Sequence, residues 1–336
     1  MNEYDTIRAI ASRFPRSRDQ LNQLFECDAE LIRLGDQVWG LTMDEFSPEE
    51  DRFTADAPAV LGANLAVATL SDLLAAGVAP RFFLHALSLP RDVSPAFMEG
   101  FVDGIRRVLD QAGCSLCGGD LGTADTWRYC GFAMGPVVSA KPLTHRLPAE
   151  PQTLWVTGEL GDANLAVFRQ TPTPAFELRL KEAEIVRKYA TACMDTSGGL
   201  MDAVWILHEM SPGVRIDLHA DRVPLARDIR EATAAAGIPA EAALLGGAGE
   251  YELLFATPRD LDGAAVAALK GIGVTPIADV TAGDDAGVHI NRNGRAVAAM
   301  TAPPPCPRST ASTTDYLQAV VRTAAALFGP VDPRPA

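Results

Sequence analysis

Five aspartates stand beside glycine or at the end of an apolar run: Asp28 in ECDAEL, Asp44 in LTMDEF, Asp72 in LSDLLAAG, Asp120 in CGGDLG and Asp195 in CMDTSGG. Carboxylates at strand ends can converge on one cleft. Their hard oxygen ligands suit Mg2+, which takes several of them or waters and commonly bridges to substrate phosphates. Any one of the five can also serve as a helix cap or turn residue, a role aspartate favours. Glycine pairs at Gly118-Gly119 and Gly198-Gly199 strengthen the binding reading, because a backbone without Cβ can bring its N–H groups close to a phosphate.

Other chemistries lack their residues. The chain contains no G-x-x-x-x-G-K-[ST], no G-x-G-x-x-G after a strand, no kinase-type H-R-D-x-x-x-x-N loop and no G-x-S-x-G elbow. Its five histidines (85, 145, 208, 219, 289) are scattered, with no H-E-x-x-H pair. Cys114 and Cys117 have the C-x-x-C spacing, but no second pair accompanies them to build a zinc site, so they are expected to be small buried apolar residues. Six cysteines in 336 residues do not resemble a disulfide scaffold. A net charge of −14 and the lack of a basic run argue against a nucleic-acid or anionic-membrane face. The apolar run from Ala59 to Leu70 is shorter than the roughly 20 residues a bilayer span needs, and the N-terminus lacks a secretory apolar stretch, so a cytoplasmic protein is expected.

The elements that must position these residues alternate between strand and helix. Strands are expected at Gln37–Met43, Arg81–Leu89 and Tyr129–Val138, with a short one at CSLC ending on Gly118-Gly119-Asp120. Between them lie a helix from Pro58 closed by Gly77, and another with Ser94 as N-cap, Pro95 at its first position and Gly113 at its end. Lys141 to Gln152 has three prolines and no apolar period and reads as a linker. Beyond it come strands at 153–158, 191–195, 214–218, 251–257, 274–280 and 288–291, with helices at 161–169, 177–189, 199–210, 225–236, 261–270 and 314–328. Two α/β layer domains are expected, 1–147 and 148–302, followed by a loop and helix over 303–336; at roughly 150 residues per domain the length agrees.

The order of local words resembles the superfamily of aminoimidazole ribonucleotide (AIR) synthetase, selenophosphate synthetase, a hydrogenase maturation factor and thiamine-monophosphate kinase, most of all the last. A G-D-D-A-A word is echoed by Glu26-Cys27-Asp28-Ala29-Glu30, T-T-D by Thr42-Met43-Asp44, and N-L-S-D-L-A-A-M-G-A by Thr69 to Val78. Gly118-Gly119-Asp120, Val156 to Gly161, Asp195 to Leu200 and Glu250 to Phe255 follow in the family's order.

The resemblance implies an α/β two-domain AIR-synthase-like fold, with N-terminal sheets paired into a barrel across a homodimer and a C-terminal α/β sandwich. It implies ATP and Mg2+ between the domains, acting on a small phosphorylated or amide-bearing metabolite. Carried over by position, Asp28, Asp44, Asp72, Asp120 and Asp195 would be metal ligands. Asp44, Asp120 and Asp195 would serve catalysis, and Asp72, Gly118, Gly119, Ser197 and Gly198 the nucleotide. The implied reaction is phosphoryl transfer from ATP to thiamine phosphate. Positioning and charge neutralisation dominate such a transfer, so carboxylate-held metal can serve without a P-loop.

Departures from the pattern keep two alternatives open: a synthetase that activates an amide or carboxylate oxygen with release of phosphate, and a silent nucleotide-binding homologue. Cys27 replaces an aspartate, Gly198 the second aspartate of D-I-S-D-G-L, Gly249 a glutamate, and Phe46 to Glu50 an E-G-V-H-F word. Cys27 is either a nucleophile or a neutral residue where a ligand was lost; neighbouring carboxylates, which raise a thiol's pKa, favour the second. Independently of the resemblance, Trp39, Phe83 and Phe132 are expected on a sheet face that a homodimer would cover, with Asp44 and Asp120 near it.

Overall fold

A computed structural model describes residues 3–48, 56–307 and 310–329. The Glu49-Glu50 part of the altered E-G-V-H-F word lies outside them. After a short helix α1 (Glu3–Ala11), strands β1 (Glu30–Leu34), β2 (Gln37–Phe46), β3 (Phe82–Leu89), β4 (Ser115–Thr123) and β5 (Arg128–Pro136) form a sheet of order β1-β2-β5-β3-β4. All pairs are antiparallel except β3 with β4, one of the two edge strands. Helices α2 (Pro58–Ala75) and α3 (Pro95–Ala112) lie on one face. The sequence signals for α3 hold: the Ser94 hydroxyl accepts the Phe97 N–H at 3.1 Å, and Gly113 ends the helix at φ +62°.

Helix α2 is apolar on nearly all sides, and its length and composition would permit a membrane crossing, but 78% of it is buried inside the protein. The reason is its place between two sheets. One side packs on the first sheet, where Gly131 lets Thr69 sit directly on β5. Another faces the second sheet, whose Trp155, Cys193, Leu253 and Phe255 share its core.

The second sheet is built from β6 (Gln152–Val156), β7 (Ala192–Asp195), β8 (Val214–His219), β9 (Leu253–Pro258), β10 (Thr275–Ala282), β11 (Gly287–Arg292) and β12 (Arg295–Met300) in the order β12-β11-β8-β10-β6-β9-β7. Helices α4 (Asp162–Arg169), α5 (Leu180–Tyr189), α6 (Leu200–Glu209), α7 (Ile229–Ala235), α8 (Gly263–Gly271) and α9 (Thr313–Phe328) accompany it. Residues of α6 and α9, including Val204, Leu207, Val320 and Phe328, bury Ile216, Leu218 and Ile290 of the sheet in a second core.

Several expectations change. Strands β1 and β12 are additions, each joined to its neighbour by a tight turn: Leu34 pairs with Gln37, and Arg292 with Arg295 across Asn293-Gly294, both at positive φ. The strand begun at CSLC does not stop at the glycines but runs through them to Thr123, so Gly118, Gly119 and Asp120 sit mid-strand. Phe83 is fully buried under the helices, whereas Cys117 is exposed while Cys114 is buried. The uncovered face of the first sheet carries Trp39 stacked on Phe82, with Phe132, Met43 and Leu84 beside them.

Helices α2 and α3 meet at two glycines. A Cβ on Gly62 would lie 2.1 Å from the Phe101 carbonyl oxygen, and one on Gly104 2.2 Å from that of Ala59. Gly104→Ala should therefore destabilise the protein by about 1–3 kcal/mol, although alanine gains about 1 kcal/mol of helix propensity. A thermal melt at or above the wild-type midpoint would show that the helices have room to part.

Candidate active site

Three aspartates from distant parts of the chain meet where the two sheets approach. Asp28 ends a loop that turns at Phe25 (φ +62°), Asp72 lies in the last turn of α2, and Asp195 is the last residue of β7. One carboxylate oxygen from each lies within 4.8 Å of the other two. Asp28 Oδ2 accepts the Asp195 N–H at 3.1 Å, and Asp195 Oδ1 accepts the Ser197 N–H at 3.0 Å. The Thr42 hydroxyl donates to Asp72. Asp195 Oδ2 and the Ser71 hydroxyl are buried beside them with no partner at good hydrogen-bond geometry among the described residues, although Ser71 is close enough to Asp195 to favour its charged form. Asp44, two residues beyond Thr42, projects from the same side of β2, and its charge bears on Asp72.

The electrostatics follow from crowding like charges out of water. Burial, then the charges of Asp44, Asp195 and Asp28, hold Asp72 well above the usual carboxylate range. Burial and Asp28 push Asp195 up to about 6. Against them stands His145. Burial alone would lower it, but the Asp28 charge and hydrogen bond and the Phe25 carbonyl raise it. Burial and Asp28 also push the Cys27 thiol far up, which agrees with a neutral residue rather than a nucleophile.

Of the other sequence candidates, Ser197 and Gly198 continue directly from Asp195. The carboxylate of Asp202 lies over Gly198, where a Cβ would come within 2.5 Å of its Oδ2. Gly118, Gly119 and Asp120 are not brought to the cluster. Across the sheet Asp44 aligns with Gly131, His85 and Gly119, three strand spacings or about 14 Å away. Asp120 pairs with Ala86 and so points to the uncovered face, opposite the side of Thr42 and Asp72. Gly119 has a packing reason to be glycine, since a Cβ would meet the His85 carbonyl at 2.3 Å. Of the five carboxylates expected to converge, three meet within one chain, and Asp44 stands on the same sheet face as Thr42, close enough for its charge to act on Asp72.

Sequence reasoning missed His145, which lies inside the proline-rich linker and carried no motif. It also gave no roles to the carboxylates of the E-Y-E word. Glu252 accepts from Arg179 Nε at 2.6 Å and from the Thr157 hydroxyl. Glu250 takes the N–H groups of Gly161 at 2.6 Å and Ala163 at 3.1 Å, closing the N-terminus of α4.

Burial pushes Glu250 up to about 8. An acid whose pKa is raised by folding contributes stability that is complete below its unfolded pKa and is lost as pH rises through the folded one. Asp195 therefore loses its contribution from about pH 4 to 6, and Glu250 from about 4.5 to 8. Denaturant unfolding of the metal-free protein should show stability falling from pH 5 to 8. Glu250→Gln, which keeps an oxygen for Gly161 and Ala163, should flatten the slope above pH 6 by up to about 1.4 kcal/mol per unit. An unchanged slope would place the lost proton elsewhere.

Comparison with known proteins bears on this arrangement. Residues 26–137 match the family model described as AIR synthase related protein, N-terminal domain. A thiamine-monophosphate kinase of Archaeoglobus fulgidus is 26% identical over 294 residues, spanning 82% of this chain and 92% of the relative. Another, from Escherichia coli (strain K12), is 30% identical over 266 residues, 71% of this chain and 78% of its own. In fold the chain resembles AaThiL complexed with AMPPCP and TMP, with a TM-score of 0.71 at 22% identity over 88% of this chain and 94% of that one. With 30% identity across more than two thirds of a curated kinase and the two-sheet architecture of that fold, the chain belongs to the superfamily of thiamine-monophosphate kinase and AIR synthase.

Proposed function

We propose that the chain is a Mg2+-dependent enzyme that transfers a phosphoryl group from ATP to a small phosphorylated metabolite of the thiamine-phosphate type. The observation that carries this reading is the meeting of Asp28, Asp72 and the fully buried Asp195, with carboxylate oxygens within 4.8 Å of one another, a donor set that a hard cation completes. Asp28, Asp44, Asp72 and Asp195 would hold the metal. When bound, Mg2+ neutralises charge on the transferring phosphoryl group and orients it. The chain's own part is to keep these carboxylates fixed and partly dehydrated, so that the site is organised before the nucleotide arrives. The relatives' kinase activity, and the AMPPCP and TMP of the structurally similar AaThiL, support nucleotide and phosphorylated substrate here.

A synthetase-type reaction is the second reading, favoured by Gly198, where the carboxylate over the backbone comes from Asp202 four residues later. Product analysis separates the two. ADP with a diphosphorylated product supports the kinase, ADP with inorganic phosphate the synthetase, and no turnover on either substrate class a silent homologue. Asp72→Asn should weaken Mg·ATP binding at least about tenfold in calorimetry. It should leave the metal-free fold as stable or more so, because a buried like charge is gone. Unchanged affinity would reduce Asp72 to a partner of Thr42.

The reading includes a homodimer in the reducing cytoplasm, which suits a chain with no disulfide among the described residues. Strand β4 is exposed along its whole length, with Leu116 and Leu121 among its residues, and the adjacent sheet face carries Met43, 69% exposed. A second copy pairing there would cover both edge and face. Gly118, Gly119 and Asp120 would then lie at the interface and could reach a site only across it. Light scattering giving about twice 35.7 kDa at micromolar concentration is the expected result; a monomeric mass with activity retained would defeat it.

A further inference from the structure

The segment joining the two domains is tied to the elements that carry Asp28, Asp72 and Asp195. The Leu143 N–H donates to the Ala76 carbonyl just beyond α2, which bears Asp72. The Thr144 carbonyl accepts from Cys193 of β7, two residues before Asp195. The His145 N–H donates to the Glu26 carbonyl at 2.8 Å, and the Cys27 thiol to the Leu143 carbonyl at 3.3 Å, both in the loop before Asp28. Further on, the Leu147 N–H donates to the Ser211 hydroxyl at 2.8 Å.

Within this segment the side chain of His145 is 4% exposed and meets Asp28 directly. Its Nδ1 lies 2.7 Å from the Phe25 carbonyl, which can only accept, so that nitrogen carries hydrogen. Its Nε2 lies 3.0 Å from Asp28 Oδ1, while Asp28 Oδ2 takes the Asp195 N–H. Both oxygens of Asp28 are therefore held by nitrogen groups rather than by the other carboxylates, and the remaining lone pairs are left for the cluster.

We propose that His145 is the positioning residue of the metal site: from the interdomain segment it fixes the Asp28 carboxylate in the orientation that binds the cation. The inference rests on the metal-site reading above. A ligating carboxylate is itself hydrogen-bonded in well-formed sites, and removal of such an outer partner typically costs 10–100-fold in metal affinity. His145 also holds the Phe25 carbonyl at the positive-φ turn that directs the loop toward α2, so it constrains Asp28 through backbone and side chain together.

The test uses the full chain and Mn2+ as the probe, titrated by electron paramagnetic resonance at a temperature where circular dichroism shows each variant folded. His145→Ala should weaken Mn2+ binding about tenfold or more and raise KM for metal-bound ATP more than it lowers kcat. His145→Gln, whose amide can still donate to Asp28, should recover part of the affinity, and it carries the test if His145→Ala does not fold. Ser211→Ala, which removes a hydroxyl bound to the Leu147 N–H and the His145 carbonyl but leaves the imidazole and its two contacts in place, should lower the melting temperature without moving Mn2+ affinity. Wild-type-like Mn2+ binding in both His145 variants overturns the inference alone, as does a Ser211→Ala loss equal to that of His145→Ala. A wild-type protein that binds no Mn2+ overturns the metal-site reading and this inference with it.

Discussion

Three carboxylates held within 4.8 Å of one another, one of them fully buried, are the constraint on which the rest of this structure depends. Bringing like charges together out of water is unfavourable, and without a cation the group responds by raising its pKa values, as Asp72 and Asp195 do. Such an arrangement persists only if each carboxylate is anchored by something outside the cluster. The anchors are Thr42 for Asp72, the Ser197 N–H for Asp195, and His145 with the Asp195 N–H for Asp28. They come from both halves of the chain, so the site exists only when the halves are docked.

Docking is the work of helix α2. Because it lies between the first sheet and the core shared with β7 and β9, it is apolar almost all round and carries Asp72 at the end nearest Asp195. Close approach is made possible by glycine under its neighbours: Gly131 beneath Thr69, Gly62 and Gly104 at the contact with α3. The cost of gathering three carboxylates between two sheets is thus visible far from the aspartates, in the small residues that let a helix sit close enough.

The same geometry separates the glycine-rich edge from the site. Asp120 and Asp44 lie on strands of one sheet, yet register sends their side chains to opposite faces. In a single chain they serve different surfaces, one turned to the second domain and one to the uncovered face with Trp39, Phe82 and Phe132.

What was legible in the sequence is local. Ser94, Pro95 and Gly113 mark helix α3 because caps satisfy backbone groups within one turn, and the words around Asp28, Asp72 and Asp195 mark a superfamily because each keeps its own neighbours. The carboxylate chemistry and the two-layer alternation follow from those words. Tertiary structure decided the rest. Phe83 and Asp120 take faces set by strand register, which depends on which side the helices cover, and Cys117 is exposed because β4 runs on as an unpaired edge. His145 stands 117 positions from Asp28 in a stretch that reads as linker, and nothing within a few residues of either marks their contact. Their meeting is imposed by the packing of two domains, where a buried carboxylate must find a donor wherever the chain brings one.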